Sequence, residues 1–235
     1  MKLLTVNTRI VNTRIMSTFA FSAVLILALA LFAPAAGKSQ QLQRGISVKM
    51  AFTTSGPRVP GADNADAWIV TVTGNNDLYF GVDPVTPQSL LDAMKTHPRN
   101  REQELYVKAD AQASFASVRR VLEVAHADRF ESVVLLTKQS SEMQPPTGLT
   151  FWLSSAPMAE AAIVKIDPGQ GSPILKIDNE EIPLNALGRK LKQLLQGRTG
   201  AVVLKAGQVP FADVAQVVDV CNRAGARPVL GTPEL

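Results

Sequence analysis

Apolar positions along this chain fall into strand-like runs and helix-like stripes, and the same order of runs and stripes occurs twice. In the first pass, Trp68–Thr73 reads as a short strand. Gly74–Asp77 is a turn, and Leu78–Phe80 returns as the second arm of a hairpin. Thr86 supplies an N-cap and Pro87 the first helical position, and Leu90, Leu91 and Met94 follow at helical spacing. Glu104–Lys108 is a strand, Ser114 caps a second helix striped by Phe115, Val118, Leu122 and Ala125, and Ser132–Leu136 closes the unit. The second pass runs Ala162–Ile166, a turn over Gly169–Pro173, and Ile174–Ile177. A helix opened by Pro183 follows, with Leu184, Leu187, Leu191 and Leu194 on one side. Ala201–Lys205 is a strand, Pro210 opens a helix striped by Phe211, Val214, Val218 and Cys221, and Pro228–Leu230 is the last strand. Each pass predicts β-β-α-β-α-β, an α+β sandwich with helices on one face of a sheet.

Short sequence matches mark the two passes as copies. Lys108-Ala109 precedes Phe115-Ala116, and Lys205-Ala206 precedes Phe211-Ala212, with offsets that agree to within one residue. Such a period is too long for a solenoid and points to a duplicated small domain. Between the copies, Pro145-Pro146 signals a linker, and Leu149–Leu153 predicts an additional edge strand that must be buried.

Ahead of both copies stands a hydrophobic leader. Residues 15–37 carry no charge, and as a helix at about 1.5 Å per residue they would extend roughly 34 Å, enough for a bilayer core. Lys2, Arg9 and Arg14 precede the run, so the N-terminus stays in the cytoplasm and the rest crosses. A cleaved signal peptide is the competing reading, because Ala33-Pro34-Ala35 forms an A-x-A site. The chain therefore divides into an n-region with membrane anchor or signal peptide (1–37), a linker with a short juxtamembrane strand (38–66), a first domain (67–139), a second linker (140–161) and a second domain (162–235).

Charge and chemistry narrow the function. The three leader cations account for most of the formal +4, so the body is near neutral, which argues against a nucleic-acid binder. Cys221 is the one cysteine, so no internal disulfide or cysteine metal cluster forms, and the two histidines share no ligand spacing. Cys221 lies on an apolar stripe and reads as a buried structural thiol. No nucleophile–base pair supports an enzyme, and no metal or cofactor is implied. Asp110 reads either as a partner contact or as a turn residue before Ser114. Arg119, Arg120, Arg129, Arg189, Lys190, Lys192 and Arg198 form either an anion-binding surface or solvated helix faces.

These features resemble the ExbD/TolR family of biopolymer transport proteins: one membrane segment, a short alternating strand, a hairpin, then helix–strand–helix–strand. The juxtamembrane alternation is matched by Ile46, Val48 and Met50, with Met50-Ala51 where the family ends in Leu-Pro. The basic-x-Asp run is matched by Lys108-Ala109-Asp110, while Lys205-Ala206-Gly207 lacks the acid. Phe115 and Phe211 stand where an aromatic opens the last helix. The resemblance covers roughly residues 16–139. It implies a non-enzymatic envelope protein of the bacterial inner membrane, with its bulk in the periplasm. Such a protein is an accessory or scaffold in a proton-motive-force-linked complex. The implied partner is an ExbB/TolQ-type membrane protein; peptidoglycan is a second candidate and a homodimer stays open. On this reading Ile46, Val48, Met50, Asp110, Phe115 and Phe211 are the partner-binding residues. One departure matters. The family carries an Asp in its membrane helix, whereas this leader offers only Ser17, Thr18 and Ser22, so proton coupling is not carried over. The alternative is a soluble exported periplasmic binding protein, released by cleavage near Ala35.

Overall fold

The β-branched and aromatic runs of both copies enter a single sheet. The computed structural model describes residues 45–97, 104–139, 146–153, 161–196 and 200–231, all within one unit, Leu42–Leu235. The leader falls outside the described residues. Among those described, no helix is long and apolar enough to cross a membrane.

In the first half the elements are β1 (Trp68–Val72), β2 (Leu78–Phe80), β3 (Asp83–Val85), α1 (Pro87–Thr96), β4 (Leu105–Ala109), α2 (Phe115–Ala127) and β5 (Ser132–Thr137). A connecting strand, β6, spans Thr147–Trp152. The second half repeats the order as β7 (Ala162–Asp167), β8 (Ile174–Ile177), β9 (Glu180–Ile182), α3 (Leu184–Leu194), β10 (Ala201–Ala206), α4 (Phe211–Arg223) and β11 (Arg227–Leu230). The eleven strands run β3-β2-β1-β4-β5-β6-β11-β10-β7-β8-β9. Read from either end toward β6, the order is the same, so the halves are related by an approximate two-fold with β6 at the seam.

Local chemistry accounts for the helix starts. Thr86 and Ser89 form a reciprocal capping box over Pro87. The Ser114 hydroxyl accepts from the Ala116 amide, and Pro183 and Pro210 occupy the N-cap positions of α3 and α4. The stripes predicted for α2 and α4 are fully buried on the inner face of the sheet, where they join one core drawn from both halves. Phe115, Phe151 and Phe211 are its largest enclosed side chains. At roughly 25 cal/mol per Å² of apolar area, three aromatics closed from water are a major stabilising term.

Two expectations change. Each half has a third short strand, β3 or β9, beyond the predicted hairpin. Asp83-Pro84-Val85 and Glu180-Glu181-Ile182 have poor strand propensity, and the same residues blunt the two outer edges of the sheet. The Leu149–Leu153 run, expected at an edge, stands mid-sheet. β6 pairs antiparallel with β5 over its whole length and parallel with β11 at Val229–Trp152.

Candidate functional site

The segment leading out of the linker forms a strap, residues 45–63, that is stitched to both halves. Ile46, Val48 and Met50 are half-buried while Ser47 and Lys49 are exposed, so the alternation lays one face of the strap on the body. At Asp110, just beyond β4, one carboxylate oxygen accepts the Lys49 amide at 3.0 Å. The other accepts the Gln112 amide at 2.9 Å. The Ala111 amide donates to the Lys49 carbonyl at 2.7 Å. Asp110 is thus a turn residue and a strap anchor at once.

The strap then runs past the end of β5. The amides of Thr53 and Lys138 donate to the carbonyls of Lys138 and Ala51, each at 3.0 Å. Buried hydroxyls link Thr53 to Thr137 at 2.8 Å and Thr137 to Thr147 at 3.0 Å. Next the strap meets α4. The Thr54 amide and hydroxyl donate to Asp219 at 3.1 and 2.7 Å, and the Ser55 amide donates at 3.2 Å, joined by the Ser55 hydroxyl. Asp219 is only 3% exposed. Burial alone would raise its pKa. The hydrogen bonds from Ser55 and Thr54 and the nearby Arg223 charge outweigh burial and hold the carboxyl below its ordinary range. A buried carboxylate satisfied this fully is a latch: removing it strands four donors.

Beyond the latch, residues 57–59 fill a gap in the sheet. The Val59 amide donates to the Pro146 carbonyl and the Gly148 amide to the Pro57 carbonyl, both at 2.9 Å, next to the Arg58–Thr147 bridge. They pair with the start of β6, away from the Val229–Trp152 pairing. Gly148 permits the close approach: a Cβ there would lie 2.4 Å from Val134 and 3.0 Å from Val59. A 3-10 turn, Pro60–Asp63, then crosses the outer face, where Ala62 packs on Ile69, Tyr106, Val134 and Leu136.

On the inner side, the halves meet through the residues that open α2 and α4. The Phe115 amide donates to the Val209 carbonyl and the Phe211 amide to the Ala113 carbonyl, both at 2.8 Å. The pairing is reciprocal, as a two-fold contact requires. Arg119 adds a tie from α2 to the Gly231 carbonyl at 2.8 Å, and the Arg227 guanidinium stacks 4.0 Å over Trp152 across the seam.

The sequence pattern described as Biopolymer transport protein ExbD/TolR matches residues 15–140. The chain belongs to the ExbD/TolR family. A relative, the biopolymer transport protein ExbD of Mannheimia haemolytica, is 23% identical over 148 residues, covering 63% of this chain and 92% of that protein. No solved structure matches the chain. The ExbD/TolR match takes in the leader, the strap and the first half. The second half lies beyond it and carries the same element order.

Within this ExbD/TolR framework, Met50 and Asp110 come together in a bridge just beyond β4, and Ile46 and Val48 stand half-buried earlier on the strap. Phe115 and Phe211 come together where the two halves meet, both fully buried. Arg119 is engaged by Glu123 and Gly231, and Lys190 by Glu180. Cys221 is enclosed, and burial pushes its thiol up to about 12. Sequence reasoning missed Asp219. The signal was present: a single acid inside the run Val217-Val218-Asp219-Val220-Cys221, which a buried helix face tolerates only if the charge is answered.

Proposed function

We propose that this chain is an accessory or scaffold component of a proton-motive-force-linked biopolymer transport complex. Its leader holds it beside an ExbB/TolQ-type membrane protein, and its two halves engage partners in the periplasm. Family membership supports the transport role. The observation that carries the scaffold role is the strap. The strap, which follows the leader in sequence, is bonded to the first half at Asp110, to the second at Asp219 and to β6, so a force applied to the strap is shared by both halves. The leader has hydroxyls but no acid, so this reading assigns the chain no proton relay of its own.

A second reading, a soluble exported binding protein, is favoured by Ala33-Pro34-Ala35 and by that missing acid. Fractionation with N-terminal sequencing separates the two. An intact leader in the membrane fraction, with an ExbB/TolQ-type protein co-purifying, is the expected result. A soluble protein beginning at Ala36 would overturn the scaffold reading in favour of the second.

A further inference from the structure

Where the strap passes from β5 to α4 it walls one side of a groove of about 920 Å³, and α3 and α4 form the rest. The floor is apolar: Leu184, Gly188 and Val220, with Phe52 of the strap on the wall. Phe52 is 58% exposed, an unusual position for a phenylalanine, and the Lys138 ammonium sits 5.3 Å from its ring centre. The rim is cationic. Arg189 and Lys192 line it with no ion-pair partner among the described residues. Arg223 lines it too, 3.7 Å from the Asp219 carboxylate. That carboxylate is the one acid in the lining, and the strap already occupies both of its oxygens.

We propose that this groove docks an extended acidic peptide segment of a partner protein, an apolar side chain seated against Phe52 and carboxylates on Arg189 and Lys192. The charge balance selects an anion, because three lining cations face a single carboxylate that is already answered. The apolar floor selects a peptide over a glycan. A sugar chain needs dense hydrogen bonding, whereas Leu184, Gly188 and Val220 offer aliphatic surface and a bare helix backbone. The volume suits a few residues of extended chain. Phe52 lies two residues before the Thr54–Asp219 latch, so the groove has its full wall only while the strap is latched. Docking and strap position are therefore coupled. This deepens the partner-binding part of the proposed function by naming a surface and a chemistry.

The test uses the full chain in mild non-ionic detergent and a fluorescein-labelled peptide of alternating Glu and Leu. Anisotropy at low salt is expected to saturate. Arg189→Glu with Lys192→Glu should weaken binding at least tenfold, Phe52→Ala several-fold, and Asp219→Asn several-fold through the latch. Added salt should weaken wild-type binding, since exposed charges are screened. Amide shifts in the wild-type chain should cluster at Gly188, Gln216 and Val220, a readout that holds even if a variant folds poorly. Equal binding of a Lys/Leu peptide, shifts lying elsewhere, or an unaffected double variant would each overturn the proposal. So would peptidoglycan fragments or anionic lipid vesicles binding through these residues while the acidic peptide does not. A chain found soluble and cleaved would remove the scaffold reading and leave this result standing, so the two failures are distinguishable.

Discussion

The two halves share a framework and differ on one face. Thr71 lies beside Lys108 across β1 and β4, and Lys165 lies beside Lys205 at the corresponding place in β7 and β10. In the first half that face is closed by the strap. Thr71 is fully buried and Lys108 is 4% exposed, with Asp63 of the strap nearby. Burial lowers the Lys108 pKa, and the Asp63 charge opposes the shift. In the second half Lys165 is exposed, Lys205 is half-buried, and Lys176 continues the row on β8. Adjacent like charges are tolerable only where water screens them. The inner faces tell the opposite story, since Phe115 and Phe211 are equally enclosed. The lesson is that the core side of the repeat is constrained by packing between halves, while the outer side follows whatever chain segment happens to cover it.

The sharpest way to break this comparison is at the shared core. Phe115→Ala and Phe211→Ala should each cost about 3–5 kcal/mol, and urea unfolding should remain a single transition in both. Two transitions would show that the halves fold independently. Next in size is the latch. Asp219→Ala should cost about 3 kcal/mol by stranding buried donors. Because the folded pKa of Asp219 is depressed, its contribution is complete above the unfolded value, about 3.9. It is lost as pH falls through the folded pKa. Acid titration of stability should therefore be flatter below about pH 4 in Asp219→Asn than in the parent.

A smaller contrast lies at the residues after the central strands. Asp110→Ala should cost about 1.5 kcal/mol, because the Lys49 amide loses its acceptor. Gly207→Asp, restoring the acid in the second half, should change stability by less than about 0.5 kcal/mol, because no strap reaches it. Thermal denaturation of both variants gives the comparison directly. The smallest effect is at the lysines. Lys108→Met should cost about 1 kcal/mol, because the Asp63 carboxylate loses the opposing charge beside it, and Lys205→Met should fall within about 0.5 kcal/mol of the parent. Equal responses would mean that the strap does not set the difference.

Helix stripes and their caps were legible because each depends on residues within one turn of each other: Thr86 with Ser89, Ser114 with Ala116, Phe211 with Val214 and Val218. The α+β class was legible for the same reason. The joining of two copies into one sheet was not, because the deciding pairs lie far apart in sequence, Phe115 with Val209 and Val229 with Trp152. β3 and β9 were hidden by residues that disfavour strands, and they exist because a neighbour supplies the ladder. Within the candidate site, the alternation of Ile46, Val48 and Met50 and the acid at Asp110 could be read locally. Asp219 could not, since its partners, Thr54 and Ser55, belong to a segment whose composition reads as linker.

The β6 seam also fixes a stoichiometry. Because both halves belong to one polypeptide, each leader brings two halves, where an assembly of separate subunits would bring a leader with every half. A substitution in either half is then present once, not twice. That frees the halves to specialise, one gripping the strap under Asp110 and the other offering Asp219, and it makes the asymmetry between them a heritable property of a single chain.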